Sequence, residues 1–182
     1  MILKTGMENT AALLEELGIR SKAIYLPSAM RDGYPQALIP LVDDREINMV
    51  KDKIPGRLIV RYGVNPDDMA IAVTTPGSIN IDMLQTKPGP TSGEIEDAAS
   101  YILVGVLDLA NSVTVNMADA LLNVEVNGSR LHYKDIWFYR CLGSPIASII
   151  AAISSEALGK PVRIKEEDYS KGKTRIILEV LP

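Results

Sequence analysis

Apolar positions crowd most densely between Ile136 and Gly159. Ile146, Ile149, Ile150 and Ile153 form a broad stripe, and Ala147, Ala151, Ala152 and Ala157 fill much of what remains. Such a pattern, apolar nearly all round, predicts a buried helix. Its ends are punctuated. Ser144 suits the N-cap, Pro145 the first helical position and Gly159 the left-handed residue that closes a helix. About fourteen residues at ~1.5 Å each reach only ~21 Å, short of the ~30 Å core of a bilayer, and no eighteen-residue apolar run is expected.

The remaining periodicities arrange themselves around this helix. Thr5 and Glu8 fit a capping box for a first helix, with Met7, Ala11, Leu13, Leu14 and Leu17 as its stripe and Gly18 as its stop. Residues 22–26 read as a strand ended by Pro27, and Ala37-Leu38-Ile39 as a short strand. Asp43-Asp44 can cap a small helix carrying Ile47, Met49 and Val50. Residues 57–62 and 69–74 read as an antiparallel pair, with Leu58 and Val60 on one face. Thr91 and Glu94 form a second capping box, opening a helix to about Ala110 with Ile95, Ala99, Ile102, Leu103, Leu107, Val106 and Leu109 turned inward. Gly105 in its middle predicts a closely approaching backbone. Asn127-Gly128 predicts a two-residue hairpin between 122–126 and 129–133, setting Glu125 opposite Arg130. Residues 162–164 and 176–180 form a closing hairpin across 168–173. Together these predict a single α/β (α+β) domain over residues 1–182, its sheet largely antiparallel, packed by three or four helices with one central and buried. The proline-rich stretch 76–92 is a possible internal seam.

Composition narrows the function classes. The 182 residues are 47% hydrophobic and 23% charged, ordinary for a globular chain, and carry a net charge of −4. That balance argues against a dedicated nucleic-acid binder. One cysteine, Cys141, and one histidine, His132, exclude an internal disulfide and a Cys/His zinc site. With no signal peptide in the first residues, a cytoplasmic protein without membrane attachment is expected.

No catalytic signature is present, and no cofactor is identifiable. Gly143-Ser144-Pro145 places free amides at the start of the buried helix, where an anion could sit beside Arg140, although a plain cap explains the same residues. Cys141 precedes that terminus, where the helix dipole would favour its thiolate. It lacks a base, since the hairpin register turns His132 outward with Glu125 and Arg130 while Tyr133 faces the core. Thr74-Thr75-Pro76-Gly77-Ser78 could wrap a phosphate but has neither the length nor the lysine of a P-loop. Asp43-Asp44 and Asp67-Asp68 stand where turns and caps favour aspartate, so no metal site is expected. Trp137, Phe138 and Tyr139 either anchor the hairpin to the helix or line an apolar pocket with polar tips.

From Cys141 onward, the order Cys141, Gly143, a small-residue helix with Ala147, Leu158-Gly159-Lys160, Val162, Glu166-Glu167, Lys171-Gly172 and Glu179-Val180 resembles the C-terminal part of the 4-vinyl reductase domain and its trafficking-complex (TRAPP-like) relatives. The resemblance implies an α/β fold that binds small, often apolar molecules and dimerises. Residues 168–176 depart from it by holding neither of the two cysteines that accompany the final glycine there, so no metal role carries over.

The leading expectation is a small-molecule-binding or sensory domain for an apolar or amphipathic ligand, forming a homodimer. Its site would comprise Trp137, Tyr139, Arg140, Cys141, Gly143, Ser144, Ile146, Ile149 and Ile150. Two alternatives stand beside it: an enzyme on a phosphorylated or carboxylated metabolite, using Arg140, Ser144 and the 74–78 loop, and a structural homo-oligomeric subunit. The first predicts that those two loops converge in space.

Overall fold

The computed structural model describes residues 9, 11–32, 37–42, 49, 53–131 and 137–182. The strands are β1 (Ile24–Tyr25), β2 (Ala37–Pro40), β3 (Ile59–Arg61), β4 (Met69–Val73), β5 (Ser112–Ala118), β6 (Leu121–Asn127), β7 (Val162–Ser170) and β8 (Lys173–Val180). They form one eight-stranded sheet in the order β3-β4-β2-β1-β7-β8-β6-β5. Every neighbouring pair is antiparallel. The helices are α1 (11–16), α2 (Pro76–Asn80), α3 (Ser92–Ser100), α4 (Trp137–Leu142) and α5 (Pro145–Leu158). The chain is a single α+β domain.

The α5 punctuation is as its sequence predicts. Ser144 is the N-cap and its hydroxyl accepts the Ala147 amide, Pro145 opens the helix, and Gly159 at φ 64° closes it. Residues from Ile146 to Ala157 are all buried. The helix lies over β1, β7 and β8, the middle of the sheet, with α2 and α3 alongside. Trp137–Leu158 together reach 22 residues, and the most apolar 18-residue window within them has a mean hydropathy of 1.5, so an apolar span longer than expected does exist; 89% of that window is buried inside the protein, and Gly143 at φ 75° breaks the span into α4 and α5.

Tyr25, Ala37, Ile39 and Ile71 belong to the main core that holds α5, while their alternates Ile24, Leu38, Ala70 and Ala72 join Ile54, Val60, Tyr62 and Leu181 in a second core. Period-2 alternation thus buries β1, β2 and β4 on both sides, which is why their sequences read as unbroken apolar runs.

Several expectations need correction. The strand 121–127 does not turn back at Asn127-Gly128. It pairs with β5 on one side and β8 on the other, and its hairpin with β5 turns at Asp119-Ala120. Residues 129–131 leave the sheet instead: the Arg130 amide donates to the Leu109 carbonyl (2.9 Å), and its side chain pairs with Asp108 and Asn111. Glu125 finds its opposite charges on β8, at Lys173 (2.6 Å) and Arg175 (3.4 Å). The α3 helix widens into a π segment, Tyr101–Val106, and stops before Ala110. Gly105 meets no backbone there; a Cβ added to it would lie in open space. Val106 is exposed, as are Leu13 and Leu17 of the N-terminal stripe, whereas Leu14 is fully buried. The closing hairpin is longer than expected and turns at Lys171-Gly172, both at positive φ. The 5–8 capping box, the 43–50 helix, His132, Tyr133 and Ile136 lie outside the described residues, save Met49, which bridges Gly63.

Near the end of α5, the Glu156 carboxylate accepts the Ser28 amide and hydroxyl, each at 2.8 Å, and pairs with Lys87 at 3.3 Å. Burial pushes its pKa up, but the two Ser28 hydrogen bonds and the Lys87 charge outweigh it, holding the carboxyl below its usual range. A depressed folded-state pKa contributes stability above the unfolded value that is lost as pH falls through the folded one. Glu156→Gln is therefore expected to lower unfolding free energy at neutral pH by about 1–2 kcal/mol. The gap from wild type should narrow below about pH 4, as read by urea titrations at several pH values.

Candidate functional site

Two N-termini meet beside the sheet. Thr75 caps α2 with a reciprocal capping box to Ser78, and Pro76 occupies the first turn. Gly77 lies directly on α5: its amide donates to the Ser148 hydroxyl at 3.2 Å, and an added Cβ would overlap the Ser148 carbonyl oxygen. This close approach fixes the α2 terminus against the α5 terminus. Between them and α4 is a partly open chamber of about 130 Å³, lined by Thr74, Thr75, Pro76, Phe138, Tyr139, Leu142, Gly143, Pro145 and Ser148. The lining is mostly apolar. Phe138 and Tyr139 stand edge to face at 6.1 Å.

Hydroxyls back the chamber. The Tyr25 hydroxyl donates to the Leu142 carbonyl at 2.6 Å and also interacts with Ser148 and Thr75. Burial drives the Tyr25 phenol far above its ordinary pKa, and the nearby Glu167 charge adds to that, so it stays a neutral donor. Thr75 and Ser78 share their hydroxyls at 3.1 Å.

The positive end of the α5 dipole already has its anion. The Ser144 amide donates to Glu167 at 2.9 Å. A β-bulge makes this possible. Ile164 opposes Leu178, but Glu166 opposes Ile177 and Glu167 opposes Ile176, so the extra residue Lys165 swaps the faces of the rest of β7. Without it Glu167 would face away from the helix; with it the carboxylate reaches the helix start.

A family described as Domain of unknown function (DUF7982) matches residues 1–180. The chain belongs to that family. No curated protein and no solved structure matches it.

In this family member the residues singled out from sequence divide into three groups. Tyr139 and Gly143 line the chamber. Ser144 sits beside it as the buried cap, and Ile146, Ile149 and Ile150 are buried in the main core. Trp137, Arg140 and Cys141 point to the N-terminal segment. The Trp137 ring nitrogen donates to the Ile19 carbonyl at 2.7 Å, and the Arg20 and Arg140 guanidiniums lie 5.7 and 5.5 Å from its ring centre. The buried Cys141 thiol contacts the same Ile19 carbonyl at 3.6 Å. The 74–78 and 143–145 loops do converge, yet the Gly77, Ser78 and Ser144 amides are all bonded within the protein. Tyr25, Ser148, Leu142 and Glu167 emerge only in three dimensions. Among the described residues no cluster of three His, Cys, Asp or Glu could hold a metal.

A second concavity, a groove of about 350 Å³ along Leu84–Gly89, Glu94, Asp97, Ala98 and Tyr101, is more polar and shallower.

Proposed function

We propose that this chain is a small-molecule-binding domain whose guest is a small, neutral, largely apolar molecule seated between the starts of α2 and α5. The observation that carries the proposal is the apolar chamber of about 130 Å³. An apolar cavity of roughly 150 Å³ is enough to admit benzene in a protein core. The size therefore suits a single aromatic ring or a short acyl chain, and it excludes a drug-sized ligand unless part of it lies outside. The Thr75 and Ser148 hydroxyls of the lining, and the Tyr25 hydroxyl bonded to them, are already engaged within the protein, so the guest would be held mainly by apolar contact. Glu167, accepting the helix-start amide, adds negative charge there and disfavours a carboxylate or phosphate. That weighs against the metabolite-enzyme reading, although its two loops do converge. The resemblance of residues 141–180 to small-molecule-binding domains points the same way as the chamber.

Thermal denaturation with phenol, indole, benzoate and inorganic phosphate tests the proposal. Phenol or indole should raise Tm in a saturable way, benzoate less, and phosphate not through this site. No shift from either neutral aromatic, together with a ligand-free native mass for protein purified from its source, would remove it.

A further inference from the structure

The structure also holds a buried cation with donors to spare. Arg31 follows the 3₁₀ turn Ser28–Met30 and bridges Ile54, whose amide donates to the Met30 carbonyl at 2.9 Å. The residue is 3% exposed. One guanidinium nitrogen, Nη2, reaches the Arg57 carbonyl at 3.4 Å, near the outer limit for a hydrogen bond. Nε and Nη1 are buried and meet no acceptor among the described residues. The neighbouring carboxylate, Asp32, pairs with Lys53 at 3.7 Å out in solvent. Burial alone lowers the Arg31 pKa, though a guanidinium keeps its proton at any ordinary pH.

An ionised side chain withdrawn from water without a partner is strongly unfavourable, and native proteins pair or neutralise such groups. Buried polar atoms left without partners call for a specific account, a bound ion among them. We infer that Arg31 is the centre of an oxyanion-binding site, taking phosphate, sulfate or a carboxylate group from solution. Guanidinium nitrogens match the oxygens of such anions in spacing and charge. Arg57, exposed and bonded to Arg31 through its carbonyl, adds positive charge at the margin, where Lys53 is offset by its pairing with Asp32. This site is separate from the α2–α5 chamber and does not depend on it.

The test measures Tm of the full chain in sulfate, phosphate and acetate against chloride at equal ionic strength, for wild type and Arg31→Met. A specific site predicts a saturable rise of about 3–5 °C at ten times the Kd, present in wild type and absent from the variant. Phosphate and sulfate exceeding acetate would identify a tetrahedral oxyanion, the reverse order a carboxylate. In parallel, the Arg31 Nε–H resonance of wild type, which needs no variant to fold, should move with the same midpoint. An Nε–H signal that no anion moves, or equal Tm increments in both proteins, would overturn the inference.

Discussion

Ile150→Ala is expected to lower the unfolding free energy by about 3–5 kcal/mol, the upper range for removing three carbons from a packed core. Ile150 is fully buried on α5, the helix that covers the middle of the sheet. With the sheet under α5 and α2 and α3 alongside it, little collapse can refill the hole. For a chain of this length the loss corresponds to a Tm lower by roughly 6–20 °C. Ile79 provides the contrast. It belongs to α2, the neighbour of α5, but is 60% exposed, and Ile79→Ala should stay within about 0.5 kcal/mol. Guanidinium titrations of the two variants would decide the matter: similar small losses would mean that α5 is not the packed centre.

Gly77→Ala should be the most disruptive single-methyl addition. The new Cβ would overlap the Ser148 carbonyl oxygen and come within 2.7 Å of the Ala152 Cβ, and α5 is held too tightly to yield. Overpacking of this kind costs about 1–3 kcal/mol, and here the obstacle is backbone rather than a flexible side-chain end. The relief available is displacement of α2, which moves Thr75 and Pro76 and reshapes the chamber. The variant should therefore lose both stability and any Tm response to phenol. Gly93→Ala, on the helical α3 where an added Cβ meets nothing within 4 Å, should instead stabilise by up to about 1 kcal/mol. Equal effects at the two glycines would contradict the α2–α5 contact.

What sequence reveals of this fold depends on the range of the interactions. The boundaries of α5 and the Thr91 cap of α3 are written in residues three apart, and both are found where expected. The Thr75 cap of α2 has the same kind of signal in Thr75-Pro76-Gly77-Ser78, but a helix of five residues carries little periodicity and reads as a turn. At Asn127-Gly128, Gly128 does take a positive φ, as its turn propensity predicts. Pairing of β6 with β5 and β8 overrides the hairpin, because two long ladders and a shared apolar face outweigh one favourable turn. The β5 strand was obscured by that misplaced partner. Gly105 carried no packing message at all, its freedom being absorbed by the π segment around it.

The candidate site was legible only in part. Tyr139, Gly143 and Ser144 lie at or beside the chamber, since proximity along the chain put them near the α5 start. Tyr25 and Ser148 could not be found this way, because strand order and helix packing bring them together across more than a hundred residues. Glu167 depends on a bulge at Lys165, and a one-residue change of register leaves no mark in composition or periodicity.

The most direct measurement is a backbone amide NMR titration of the intact chain with phenol. Occupation of the chamber predicts saturable shifts that share one midpoint at Thr75, Gly77, Leu142, Gly143 and Ser148. Shifts gathered instead along the Leu84–Gly89 groove, or scattered without saturation, would contradict a guest between α2 and α5.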